Sequence, residues 1–140
     1  MTVDSIQNGI VIDHIAAGRG MKLYELLGLS AAAVPVAIMM NVTSGKLGRK
    51  DIIKIDGEIP VNLDVIGYVD PGATVNIIRD GKLKEKKALG MPERLENVIR
   101  CKNPRCVSTT EQELPQIFLL TDREKKEYRC AWCETKAATL

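Results

Sequence analysis

Cys101, Cys106, Cys130 and Cys133 form a C-x4-C pair, a gap of 23 residues and a C-x2-C pair, and the first 100 residues hold no cysteine. Each close pair lets one tight turn aim two sulfurs at a single ion, and four thiolates complete a tetrahedral zinc shell. Such a shell leaves no position for water or substrate, so the expected Zn2+, one per chain, is structural rather than catalytic. The alternative, a pair of disulfides, requires an oxidising compartment. The start Met1-Thr2-Val3-Asp4 has no basic n-region and no apolar h-region. The most apolar run, Ala31 to Val42, is broken by Pro35 and falls short of the roughly 20 residues of a membrane span. The expectation is a soluble, cytoplasmic chain with no membrane partner.

The cysteines divide the chain into a metal-free part, residues 1–90, and a metal-dependent part, residues 91–140. In the first part, Gly9 to Ile15 alternates and is bounded by glycines, which predicts a strand. Leu23, Leu26 and Leu27 fall at helical spacing, and Gly28 closes that helix. Val34 to Val42 and Asp51 to Asp56 read as strands, Asn62 to Tyr68 as a short helix, and Ala73 to Arg79 as a strand. Asp80-Gly81 is a hairpin signal that should return Lys82 to Leu89 antiparallel. The order β-α-β-β-α-β-β predicts an α+β fold: a ferredoxin-like sheet with two helices and one added strand. The run VPVAIMMNV is apolar on both faces, which points to a partner surface.

Gly90-Met91-Pro92 reads as a linker. Beyond it, Asn97 to Arg100 is expected as a strand entering the first cysteine knuckle. Gln116 to Thr121 and Lys126 to Arg129 are expected as a hairpin about Asp122-Arg123. This is a small all-β, zinc-ribbon-like unit whose apolar content is too low to fold unaided. Structural zinc supplies roughly 10–16 kcal/mol of apparent binding energy, which becomes folding energy.

No catalytic set is legible: His14 is the single histidine, and the glycine, serine and histidine signatures of nucleotide-cleaving and hydrolytic sites do not occur. One polar cluster stands out. Asp13 can accept hydrogen bonds from a ribose, and His14 is expected on the opposite side of the same strand. Lys50 and Lys54 belong to the third strand, and Lys82, Lys84, Lys86 and Lys87 crowd the last. With the first and last strands side by side at one edge, these groups would converge on an anionic nucleotide. The plain reading is a strand-end aspartate in a turn and lysines guarding a sheet edge.

The segments VIDHI, SGKLGRKDIIKID, ATVNII and MPERLENVIRC, followed by C-x4-C and C-x2-C, run in order along nearly the whole chain. Together they resemble the regulatory chain of aspartate carbamoyltransferase. The resemblance implies a non-catalytic subunit in pyrimidine biosynthesis. Residues 1–90 would be a nucleotide-binding allosteric domain for ATP, CTP and UTP, and residues 91–140 a zinc domain gripping the catalytic chain. Regulatory chains would pair as homodimers and bridge catalytic trimers. By position it implies a pocket of Val11, Asp13, His14, Lys50, Ile52, Lys54, Asn76, Ile78, Leu83 and Lys86, with Val3, Ser5 and Ile6 on the base side. Lys54 would meet base or ribose, Lys86 the triphosphate and Asp13 the ribose. Asn103 and Glu134 would face the catalytic chain. Asp80-Gly81 and Arg105 depart from the family's pattern.

The competing reading is a zinc-ribbon nucleic-acid-binding protein, which needs clustered basic charge interleaved with exposed aromatics. Residues 93–140 carry 9 Lys and Arg against 8 Asp and Glu, and four thiolates with one Zn2+ bring that segment to about −1. Of five aromatics, Phe118 and Tyr128 fall on hairpin strands as core. Trp132, between two ligands, either meets a partner or packs over the metal. A small enzyme of another type lacks a nucleophile or an open metal position.

Overall fold

The computed structural model describes residues 5–45 and 47–138. They form two compact units, residues 1–90 and 91–140.

The first unit is built from β1 (Gly9–Ala16), α1 (Gly20–Leu26), β2 (Val36–Ser44), β3 (Gly48–Ile55), α2 (Leu63–Val69), β4 (Thr74–Arg79) and β5 (Lys82–Ala88). The strands lie in the order β2-β3-β1-β4-β5, and every neighbouring pair is antiparallel. This is the split βαβ arrangement with β5 added outside β4. The first and last strands are not side by side: β1 is central and β4 separates it from β5.

Alternation sorts the side chains. Ile10, Ile12, Ile53, Ile55 and Val75 are buried with Leu23, Val65, Ile66 and Val69 from the helices. α1 packs on β2 and β3 and against α2. Burying each of these aliphatics contributes about 1.5–3 kcal/mol. The intervening residues, including Val11, Asp13, Ile52, Lys54 and Asn76, are only partly buried on the helix-free face. Asn62 starts α2, its side-chain oxygen accepting the Asp64 amide at 3.0 Å. Asp80 and Gly81 take φ of 54° and 74°, the left-handed pair that a two-residue hairpin turn requires.

Three bulges break the alternation. Asp13 and His14 lie opposite Ile52 alone. Met40 and Asn41 lie opposite Asp51, and Lys84 is an extra residue in β5. His14 and Asn41 adopt φ of 58° and 62°. The first bulge overturns the expectation for His14. Strict alternation would put it opposite Asp13, but its ring reaches the Thr74 hydroxyl (Nδ1···Oγ1 3.0 Å), on the face Asp13 occupies. A bulge inserts one residue and re-aims the side chains around it.

The second unit has a sheet in the order β6-β7-β8 (Arg94–Glu96, Ile117–Asp122, Glu127–Cys130) and a single helical turn, α3 (Val107–Thr110). The strand entering the first knuckle is Arg94–Glu96 rather than the expected Asn97 to Arg100. Asn97 stops it: at φ 57° its amide donates to the Gln116 carbonyl at 2.7 Å, while its side-chain oxygen accepts the Gln116 amide at 2.9 Å. The β7–β8 connection is also longer than an Asp122-Arg123 turn. Asp122 pairs with Glu127, and the Asp122 carboxylate accepts the Lys125 amide at 3.1 Å inside the loop. Leu95, Phe118, Tyr128 and Cys130 form the buried side of this sheet, and the Tyr128 hydroxyl donates to the Pro92 carbonyl.

Candidate functional site

The four cysteines gather at one end of the second unit's sheet, where β6 and β8 end beside the start of β7, and their sulfurs all lie within 4.8 Å of one another. Cys101 and Cys133 sulfurs are 3.6 Å apart, and those of Cys106 and Cys130 are 3.7 Å apart. A disulfide would bring two sulfurs to about 2 Å. Four thiolates at zinc-sulfur distance around a tetrahedron would stand about 3.8 Å apart. The donor set therefore fits zinc.

Local hydrogen bonds aim the ligands. In the first knuckle the Cys106 amide donates to the Asn103 carbonyl at 3.1 Å, and the Arg105 amide to the Asn103 side chain at 3.0 Å. In the second, the Glu134 amide donates to the Cys130 carbonyl at 2.8 Å, with Glu134 at φ 65°. Asn103 and Glu134 thus shape the knuckles themselves. The sequence reading missed Gln116, whose only signal was its place at the head of an apolar strand. It is buried; its side-chain oxygen accepts the Cys101 amide at 2.8 Å and its nitrogen donates to the Ser108 carbonyl at 2.9 Å. One amide side chain so joins β7 to both ends of the first knuckle.

The protein alone shifts Cys101 and Cys133 in opposite directions. Burial, followed by the neighbouring Cys133 and Cys130 thiols, pushes Cys101 up to about 12. Bonds from Thr135, side chain first and then backbone, bring Cys133 down to about 6. A divalent cation stabilises deprotonated sulfurs, and in closed thiolate sites its binding energy becomes folding energy.

The first unit carries a cavity of about 520 Å³ on the helix-free face, lined by Ser5, Ile6, Val11, Asp13, Ile52, Lys54, Asn76, Ile78, Gly81, Leu83 and Lys86. Val11 pairs with Lys54 across one side of β1 and with Asn76 across the other. Asn76 pairs onward with Lys86. The floor is therefore one row across four strands. Leu83 and Lys86 are three residues apart, which in a regular strand puts them on opposite faces; the Lys84 bulge brings both to the cavity.

Of the residues singled out from sequence, Val11, Asp13, Ile52, Lys54, Asn76, Ile78, Leu83 and Lys86 meet at this cavity, with Ser5 and Ile6. His14 and Lys50 are not in its lining. Lys50 forms an ion pair with Asp13 at 2.9 Å, and His14 engages Thr74 and gives its amide to Asp13 at 2.6 Å. Val3 lies outside the described residues. Gly81 was not singled out as a lining residue, because a turn glycine carries no side-chain signal. Burial works to raise the Asp13 carboxyl, but the Lys50 ammonium and the His14 amide outweigh it and hold the group below its ordinary value. The cavity thus presents a carboxylate, two lysines and an aliphatic wall.

Residues 1–90 match the family described as aspartate carbamoyltransferase regulatory chain, allosteric domain. Residues 93–139 match aspartate carbamoyltransferase regulatory chain, metal binding domain. The chain belongs to the aspartate carbamoyltransferase regulatory chains. It is 50% identical over 135 residues to the regulatory chain from Clostridium tetani, covering 96% of this chain and 94% of that one. It is 48% identical over 134 residues to that from Clostridium botulinum, covering 96% and 92%. It is 47% identical over 137 residues to that from Bifidobacterium longum, covering 98% and 99%.

As an aspartate carbamoyltransferase regulatory chain, it associates with catalytic chains and is not itself the catalytic chain. That membership displaces the nucleic-acid-binding alternative, and the cysteine cluster is the metal site of its metal-binding domain. Among the described residues no helix is long and apolar enough to cross a membrane.

Proposed function

We propose that the cavity on the helix-free face is the effector pocket of this regulatory chain and takes the nucleoside triphosphates ATP, CTP and UTP. The observation that supports this reading most is the company kept in one cavity by Asp13, Lys54 and Lys86 with Val11, Ile52, Ile78 and Leu83. A carboxylate accepts hydrogen bonds from ribose hydroxyls, ammonium groups meet phosphates as point charges, and branched aliphatics flank a flat base. Lys86 is the choice for the triphosphate, Lys54 for base or ribose, and Asp13 for the ribose. Asp13, paired with Lys50, stays ionised to do so.

The second unit holds one structural Zn2+ and docks a catalytic chain of a trimer, with Asn103, Glu134 and the exposed Trp132 on the docking side. Regulatory chains pair with each other, so that dimers bridge trimers, in the cytoplasm. Effector binding in the first unit is then a coupling free energy with the catalytic chains, and that coupling is reciprocal.

The test is to mix the chain with aspartate carbamoyltransferase catalytic trimers and follow complex size and the aspartate saturation curve. Larger complexes and a curve that moves with ATP or CTP are expected. Assembly with a curve indifferent to all three nucleotides would remove the effector reading.

A further inference from the structure

Asp51 is wholly enclosed, on the helix side of β3, between Lys50 and Ile52. Its carboxylate accepts three backbone amides. Oδ1 takes the amide of Asn41 at 2.9 Å, while Oδ2 takes those of Gly18 at 3.1 Å and Gly20 at 2.9 Å. Asn41 is the left-handed residue of the β2 bulge. Gly18 lies in the turn that carries β1 into α1, and Gly20 is the first residue of α1. One carboxylate so ties both strands flanking β3 to β3 itself. The β1 bulge, Asp13 and His14 opposite Ile52, lies between the last regular pair, Ile12 with Ile53, and the point where Ile15 meets Asp51.

We propose that Asp51 is a positioning residue for the cavity: by fastening the β1–α1 turn and the β2 bulge to β3, it fixes the register that sets Asp13 against Lys50. This rests on the effector-pocket reading, since a nucleotide is what the positioned carboxylate would serve. Three backbone amides converging on one carboxyl group are directional, and they restrain the chain where a bulge would otherwise let it slip. Asp51 does not line the cavity; its effect passes through the backbone to Asp13. The fit is tight from the other side too. A Cβ built on Gly20 would lie 2.8 Å from Asp51 Oδ2, so an alanine there must displace the carboxylate.

The test uses Asp51→Asn and Gly20→Ala in the full chain. The readouts are the Asp13 carboxyl titration by NMR, ATP and CTP titrations well below the unfolding midpoint, and metal content. The titratable groups around Asp13 in this readout are Lys50 and His14, with Lys54 and Lys86 in the same cavity. Asp51→Asn keeps the shape but offers one acceptor where three amides converge. Asp13 should then titrate higher, toward the ordinary carboxylate value. Nucleotide affinity should fall about tenfold, the scale of one hydrogen bond to a charged group, with metal content unchanged. An Asp13 titration identical to the parent's in a folded variant would overturn the proposal, even if the midpoint drops. If Asp51→Asn does not fold, Gly20→Ala is read by the same criterion. A parent chain that binds neither nucleotide removes the effector reading instead, and the Asp13 titration, which needs no nucleotide, still decides the role of Asp51.

Discussion

The Asp13 carboxylate and the Lys50 ammonium meet at 2.9 Å with side chains 21% and 17% exposed, joining the β1 bulge to β3. Asp13 is held below its ordinary value in the folded chain. A carboxyl so depressed stabilises the fold above its unfolded value of about 4, and that stability is lost as pH falls through the lower folded value. Lys50→Met keeps the aliphatic stem and removes the charge. It should lower unfolding free energy at pH 7 by about 1 kcal/mol and shrink the difference between pH 7 and pH 3. Denaturant midpoints at the two pH values check this; an undiminished difference would show that Lys50 does not hold Asp13.

Gln116 makes a prediction in the other unit. Gln116→Leu removes the acceptor of the buried Cys101 amide and the donor to Ser108. An unsatisfied buried group costs about 1–3 kcal/mol, and here the cost falls on a metal ligand. Competition with a chromogenic chelator should show weaker zinc retention than in the parent, with the first unit's nucleotide titrations unaltered.

Removing the metal should be more drastic. A chelator with a mild thiol reagent is expected to release one zinc per chain and abolish binding to catalytic trimers, because about 10–16 kcal/mol of folding energy leaves with the ion. Sizing chromatography with metal analysis reads both. Assembly that survives zinc loss would sink the docking role of the second unit.

Lys54→Ala and Lys86→Ala should each weaken ATP and CTP binding about tenfold while metal content and assembly stay as in the parent. Unchanged calorimetric titrations would refute the roles given to these lysines.

Trp132 is 42% exposed, yet its indole N–H donates to the Pro115 carbonyl at 2.9 Å. The bond fixes the indole's polar edge while much of its apolar ring stays exposed. Trp132→Ala is expected to slow assembly with catalytic trimers without loss of zinc; wild-type assembly would return Trp132 to a purely local packing role.

Local chemistry carried much of this protein in its sequence. Cysteine spacing specified a closed metal shell because knuckle geometry is set within a few residues, and Asp80-Gly81 specified its hairpin because left-handed backbone favours those residue types. The order of strands and helices announced the split βαβ sheet, and the family resemblance implied by position eight of its ten pocket residues that line the cavity, His14 and Lys50 being the other two. What only the tertiary structure decided were the places where alternation fails. The bulges at His14, Asn41 and Lys84 depend on pairing between distant strands, so no local pattern reveals that Leu83 and Lys86 share a face. Asp51 and Gln116 enter the sequence only as the first residues of expected strands; their importance comes from backbone groups that folding brings to them from elsewhere in the chain.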